Sequence, residues 1–325
     1  MKYLKVKGSD LNWSQMSLGT MRIQWKGVDE NGNKAYFGKS VEEVDTLIRT
    51  ALDLGINVID TADIYGHGLS EELIGKVIAR NPSIRDKMIL QTKCGVKSTS
   101  EGLCYDLSKD YILNCVDNSL ERLHTDHIES LLLHKPDPLY DPKQIAEAFD
   151  ELYASGKVLN FGLSNFSSMQ TAVIQKYSKR PITFNQMQLS IAHSLMIDSE
   201  VNINTNDEHG TDYDSGILDY CRLNDITMQA YSVVQGFLHG PNKGTFINNP
   251  GFEKLNALMD KLCEKYNTNK NALALAWILK HPANVMPIIG TTNPSHIKDS
   301  VSAFDYELTR QEWYDLYTAC DKPLP

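Results

Sequence analysis

Asp60, Tyr65, Lys93 and His134 are polar residues that close, or immediately follow, short apolar runs. The runs are Asn57-Val-Ile-Asp-Thr-Ala-Asp-Ile-Tyr65, Ile89-Leu-Gln-Thr-Lys93 and Leu131-Leu-Leu-His134, and a fourth, Phe161-Gly-Leu-Ser-Asn165, ends on Ser164 and Asn165. If these runs are successive parallel strands of a barrel, their C-terminal ends converge on one pocket. An acid, a phenol, an amine and an imidazole meeting there form a proton-transfer device. A free phenol titrates near 10, too high for easy exchange at neutral pH. A cationic Lys93 beside Tyr65 favours the charged phenol and is expected to lower that value. Lys93 then needs a counter-charge, which Asp60 can supply. His134 can hydrogen-bond and orient a reacting oxygen. Taken singly, each residue has an ordinary explanation: a strand-end cap, a packed tyrosine, a surface lysine, a core histidine. Packing does not readily produce all four on three adjacent strand ends.

The elements that must hold these residues follow from the pattern along the chain. Residues 1–20 read as a β-hairpin running into a first strand that ends at Gly19-Thr20, and residues 21–39 read as loop. Ser40-Val-Glu-Glu43 is a capping box opening a helix that Gly55 closes. Strands are expected at 57–62, 88–94, 128–134, 158–164, 184–188, 227–233 and 285–289. Helices are expected at 71–80, 109–123, from Asp141-Pro142 onward, 167–177, 217–223, 252–266, 271–280 and 294–303. Thr309-Arg-Gln-Glu312 is a further capping box opening a final helix. Eight short strands rich in Ile, Val and Leu, alternating with helices, suit a parallel sheet covered on both faces. No linker interrupts them. The expectation is a single domain over residues 1–325: an α/β (β/α)8 TIM barrel with an N-terminal β-hairpin and extra C-terminal helices. An open doubly wound sheet is the other α/β solution, but its Gly-x-Gly-x-x-Gly turn is missing; Gly66-His-Gly68 comes nearest, with Glu at position 71.

Composition narrows the class. A net charge of -9 and a pI near 5.5 argue against nucleic acid and anionic lipid as partners. The six cysteines are scattered, with no Cys-x-x-Cys pair, so free thiols in a reducing compartment are expected. Cys94, beside Lys93, is weighed as a thiol of lowered pKa and read as packing. The acidic stretch at 189–215, with Glu200, Asp207, Glu208, Asp212 and Asp214, lacks calcium-loop spacing and reads as a solvated loop, so no metal is expected. Met1–Lys7 lacks a signal-peptide core, and no apolar run approaches the roughly 20 residues of a membrane span. A cytoplasmic location is the expectation, without a membrane association, and a monomer or weak oligomer.

The ordered strings Gly19-Thr20, Asp60–Gly66, Gln91–Lys93, Leu131–Asp137, Ser155–Val158, Gly162–Phe166, Asn185-Gln186, Ala230–Ser232 and Pro287–Thr292 resemble the aldo-keto reductase superfamily over nearly the whole chain, and its bacterial-type monomeric members in particular. The resemblance implies a nicotinamide-dependent reductase of aldehydes or ketones, with Asp60, Tyr65, Lys93 and His134 as its catalytic tetrad. Hydride would come from NADPH, with NADH the alternative, because no side chain supplies one. It also implies that Ser164, Asn165 and Gln186 hold the nicotinamide amide and that Tyr231 stacks on the ring. Gly19, Thr20, Ser232, Gly290, Thr291 and His296 would complete the dinucleotide site. The loop 232–244, with Gly236, Gly240 and Gly244, would pass over the pyrophosphate. The helix after Gly290-Thr-Thr-Asn-Pro294 would receive the adenosine phosphate at its N-terminus. Asn293 and His296 stand where the family often carries a lysine and an arginine for the 2′-phosphate. Trp25 and Tyr105 are candidate aromatic walls for a small carbonyl substrate, at a mouth formed by residues 21–39, 95–108, 189–215 and the C-terminal tail. A nucleotide-binding regulatory protein with little turnover is the competing reading. A barrel hydrolase would require metal ligands or paired carboxylates at the strand ends, and neither arrangement is found.

Overall fold

The computed structural model describes the chain except residues 29–33, 214–215 and 237–243, and except the side chains of 25–37. Eight parallel strands close into a barrel, labelled here in chain order: β1 Ser17–Gly19, β2 Val58–Asp60, β3 Ile89–Cys94, β4 Ile128–Leu133, β5 Val158–Ser164, β6 Ile182–Gln188, β7 Thr227–Tyr231 and β8 Met286–Ile289. Each strand pairs with its neighbours in sequence, and β8 closes on β1 through Ile289 opposite Leu18. The chain is a (β/α)8 barrel, as its pattern implied.

Helix starts are where the capping residues put them. Ser40–Glu43, Ser167–Gln170 and Thr309–Glu312 each form a complete capping box, so two otherwise orphaned N–H groups are satisfied at each start. The helices Lys109–Leu123 and Ile217–Leu223 and the strand Val158–Ser164 keep their expected bounds. Three stretches read as loop carry structure. Gln24–Val28 pairs with Lys34–Gly38, Val96–Thr99 pairs with Gly102–Tyr105, and Leu195–Val201 is a helix. Both hairpins are stabilised by pairing between strands too short or too polar to show an apolar alternation.

Alternation along each strand builds the barrel interior in layers. At the bottom, Val58, Ile89, Leu132, Phe184 and Met286 pack with Val6 and Trp13. Trp13 arrives on the N-terminal hairpin, Tyr3–Lys5 with Asn12–Ser14, and its ring centre lies 4.8 Å from that of Phe184. The hairpin thus plugs the lower end. Two residues further along β2, β3 and β6 come Asp60, Gln91 and Gln186, with Gln229 of β7 beside Gln186. Two residues further still along β3 comes Lys93, and His134 follows two residues after Leu132, just past β4. Polar character therefore increases toward the C-terminal ends of the strands.

Candidate active site

Asp60 and Lys93 face one another on neighbouring strands, and Lys93 Nζ lies 2.7 Å from Asp60 Oδ2 with both side chains almost wholly buried. The same ammonium donates to the Thr61 carbonyl at 2.7 Å and to the Tyr65 hydroxyl at 3.3 Å. These three acceptors use its three protons. Tyr65 begins a short 3-10 turn, Tyr65–Gly68, in which Gly66 takes φ +58°, a left-handed conformation suited to glycine. The turn leads into the helix Leu69–Arg80, whose buried Glu71 accepts from Thr92 Oγ1 at 2.5 Å and from Arg122 Nε at 2.8 Å. Glu71 thereby ties the tyrosine-bearing segment to β3 and to the helix Lys109–Leu123. His134 meets Tyr65 edge-on, with ring centres 5.7 Å apart.

The electrostatics separate the four groups. Burial drives the Tyr65 phenol above its ordinary pKa. The Lys93 cation opposes this, while Asp60 and Asp63 reinforce it. Lys93 thus acts in the expected direction but does not prevail, and the expectation of a lowered phenol pKa is overturned. Burial works against the Lys93 charge, yet Asp60 and Tyr65 outweigh it and hold the ammonium above its ordinary value. Burial, followed by repulsion from Lys93 and Lys135, lowers His134 to about 3. His134 is a neutral imidazole at physiological pH, and its Nδ1 is buried without a hydrogen-bond partner. The arrangement is a neutral phenol ready to give up a proton, a fixed cation behind it, and a neutral ring beside it.

A cleft of about 510 Å³ runs from these groups to the far side of the barrel mouth. Its lining includes Gly19, Asp60, Tyr65, His134, Ser164, Asn165, Gln186, Tyr231, Ser232, Gly290, Thr291 and His296. At Gly19 an added Cβ would lie 2.8 Å from Ile288 Cγ2, so a side chain there would press on the cleft wall. Asn165 and Ser232 follow β5 and β7 directly and hold positive φ, 64° and 56°. Such conformations cost energy in non-glycine residues and concentrate at functional sites. Tyr231 donates to Asn165 Oδ1 at 2.8 Å, and Asn165 Nδ2 donates to Ser164 Oγ at 2.9 Å, so the residues expected around a nicotinamide already form one cluster.

Several expectations change. Thr20 is buried and does not line the cleft; its hydroxyl and its N–H both donate to the Asp60 carbonyl, each at 2.9 Å. Its part is to fix the end of β2. Lys93 also lies behind the cleft surface, beneath Tyr65. Tyr105 is exposed on its hairpin and is not among the described lining residues. Of the segments expected at the mouth, only Met21 and Arg22 line the cleft among the described residues. The Trp25 side chain and Gly240 lie outside the described residues. Cys94 is buried, and a hydrogen bond with Cys115, followed by burial, holds its thiol well above the ordinary value, so the alternative of a reactive thiol falls. At the helix Pro294–Val301, Asn293 accepts from Ser295 N through its side chain at 3.0 Å and from His296 N through its carbonyl at 3.1 Å. The first donors expected to be free for a phosphate are therefore engaged. None of the lining residues from Gly290 to Ser300 is a lysine or arginine.

The sequence reading missed Gln229, Asp63 and Asn271. Gln229 was findable, since it stands two residues before Tyr231 as Gln91 does before Lys93. Asp63 lies inside the Asp60–Gly66 string but carried no separate sign, because its shift comes from burial and from Glu71, both set by the tertiary fold.

The aldo/keto reductase family model matches residues 15–320. The uncharacterized oxidoreductase YcsN of Bacillus subtilis is 32% identical over 322 residues, covering 95% of each chain. The 6-dehydroglucose reductase of Agrobacterium fabrum is 31% identical over 287 residues, covering 86% of this chain and 88% of its own. The structure of the glycerol dehydrogenase of Gluconobacter oxydans superposes with a TM-score of 0.75 at 26% identity, covering 98% of this chain and 94% of the other.

Proposed function

Since the chain belongs to the aldo/keto reductase family, we propose that it reduces an aldehyde or ketone to an alcohol, with Tyr65 as the general acid. The observation that carries this reading is the Asp60–Lys93–Tyr65 chain of contacts, at 2.7 and 3.3 Å. A bound nicotinamide would supply the hydride for the carbonyl carbon. The Tyr65 hydroxyl gives its proton to the carbonyl oxygen as negative charge develops there. Lys93 stabilises the phenolate left behind, and Asp60 keeps Lys93 charged and in place. His134, neutral, can donate a hydrogen bond to the same oxygen and set its approach. Positioned acid catalysis of this kind is worth about 10²–10⁴-fold. A neutral phenol suits reduction better than alcohol oxidation, which needs the phenolate first.

The residues fit a dinucleotide. The cleft reaches from Tyr65 to the start of the helix at Pro294, and Ser164, Asn165, Gln186 and Tyr231 cluster at its inner end. Those four would hold the nicotinamide, with Gly19, Ser232, Gly290, Thr291 and His296 along the remainder. NADPH is proposed and NADH is the alternative, because Asn293 and His296 offer no fixed positive charge to a 2′-phosphate. We read residues 1–325 as one domain, a cytoplasmic monomer or weak oligomer acting on a small carbonyl compound.

The test is loss of reduced-nicotinamide absorbance with a panel of aldehydes and ketones that includes 6-dehydroglucose, using each nucleotide in turn. Turnover that disappears in Tyr65→Phe supports the reading. Tight nucleotide binding with no turnover on any carbonyl would favour a regulatory binder instead.

A further inference from the structure

Three glutamines share the barrel interior with Asp60, in the same layer. Gln91, Gln186 and Gln229 are 0%, 3% and 0% exposed, in a layer where branched apolar side chains are usual. Burying three amides is costly unless their polar atoms are paired. Here every amide hydrogen has an acceptor. Gln91 Nε2 donates to Asp60 Oδ1 at 2.6 Å and to Gln229 Oε1 at 2.8 Å. Gln186 Nε2 donates to the same two oxygens, each at 3.0 Å. Gln229 Nε2 returns a bond to Gln91 Oε1 at 3.0 Å and reaches Met286 Sδ at 3.5 Å. An apolar layer of equal volume would close the barrel without this desolvation cost.

The network divides the work of the Asp60 carboxylate. Oδ1 receives two amide hydrogens and Oδ2 receives Lys93. With Oδ1 anchored, the carboxylate has no freedom to rotate and present both oxygens to the ammonium. Lys93 is then held where its remaining proton points at Tyr65. Gln229 is the keystone, since its single Oε1 aligns both Gln91 and Gln186, and it does not line the cleft. Gln186 does line the cleft, so the nucleotide site and the carboxylate share one set of bonds.

We propose that Gln229 and Gln91 are positioning residues that act through Asp60 to fix Lys93 against Tyr65. The proposal rests on the carbonyl reduction inferred above. Gln229→Met keeps the volume and removes the shared acceptor. It should slow single-turnover hydride transfer by on the order of 10–10²-fold, the scale of a small misplacement at a reacting centre. Carbonyl KM should stay within about twofold, and NADPH affinity, read by fluorescence quenching, should fall by less than the transfer rate, since Gln186 keeps its bond to Asp60. Gln229→Glu adds a sharper readout. Buried, and separated from Asp60 by only the shared amides of Gln91 and Gln186, its carboxyl resists ionisation. While protonated it still offers an acceptor oxygen to both neighbours, so hydride transfer should be close to that of the unaltered protein at low pH. The rate should then fall as pH rises and the new carboxylate repels Asp60.

Unaltered transfer rates and pH profiles in both variants would overturn the proposal. If Gln229→Met does not fold, Gln229→Glu decides alone through its pH profile. If the unaltered protein reduces no carbonyl, the functional reading fails on its own account. The positioning role is then judged from a crystal structure of Gln229→Met: a lengthened Lys93–Tyr65 contact supports it, and an unmoved Asp60 and Lys93 refutes it.

Discussion

The Lys93 ammonium lies 3.3 Å from the Tyr65 hydroxyl oxygen and 4.9 Å from the centre of its ring. It therefore meets the phenol at its polar end, where a phenolate's charge would reside, rather than over the face. Tyr65→Phe keeps the ring and removes only the proton and its oxygen. Turnover should drop by about 10²–10⁴-fold with nucleotide binding intact. Steady-state kinetics alongside fluorescence titration checks this, and a Phe variant as fast as the parent removes Tyr65 from its role.

Removing Lys93 leaves Asp60 buried without a counter-charge. Lys93→Met should destabilise the fold by about 3–5 kcal/mol as well as abolish turnover. Adding Asp60→Asn removes the stranded charge and should restore much of that stability without restoring activity. Denaturant unfolding of the single and double variants gives the comparison. Equal instability in the two would show that the pair is not the buried unit described.

At Asp63, whose charge also acts on Tyr65, burial, followed by the nearby Glu71 carboxylate, raises the carboxyl to about 7. One oxygen, Oδ1, is buried without a hydrogen-bond partner. The folded value lies above the unfolded one, so the folded chain binds the extra proton between about pH 4 and 7. Ionising Asp63 costs stability progressively across that window, and the full penalty stands above it. Asp63→Asn should therefore raise the melting temperature clearly at pH 8 and little at pH 4.5. Equal effects at both pH values would contradict the shift.

His134 presents the opposite case. Lowered to about 3, it stays neutral through the working pH range. The unfolded chain takes up its proton near 6.5, so the contribution of this residue to stability is lost as pH falls from 6.5 toward 3. The rate profile should show no histidine step between about pH 5 and 8. A step there that disappears in His134→Gln would mean that the imidazole is charged in use.

His296 is exposed at the end of the cleft proposed for the adenosine, with Nδ1 3.5 Å from Thr291 Oγ1. An arginine there brings a fork that fits a phosphate. His296→Arg should raise the NADPH-to-NADH ratio of kcat/KM by on the order of tenfold, about the worth of one charge-assisted hydrogen bond. An unchanged ratio would place the 2′-hydroxyl end of the nucleotide elsewhere.

What the sequence determined is local. Ser40, Ser167 and Thr309 set helix starts because a hydroxyl and a glutamate or glutamine three residues on satisfy each other's backbone neighbours within one turn. The apolar runs ending at Asp60, Lys93 and Leu133 became strands because such runs bury both faces, and their order dictated the barrel. Asp60, Tyr65, Lys93 and His134 were readable because each ends or follows such a run. Tertiary structure decided the rest. The pairing of Gln24–Val28 with Lys34–Gly38 and of Val96–Thr99 with Gly102–Tyr105 depends on partner strands and leaves little periodic trace. The phenol's pKa went up rather than down because burial, set by everything packed around Tyr65, outweighs one neighbouring cation. Thr20 turned from the cleft to the Asp60 carbonyl, and Gln91 met Gln229 across 138 positions of chain, because only a closed barrel brings those atoms within hydrogen-bond reach.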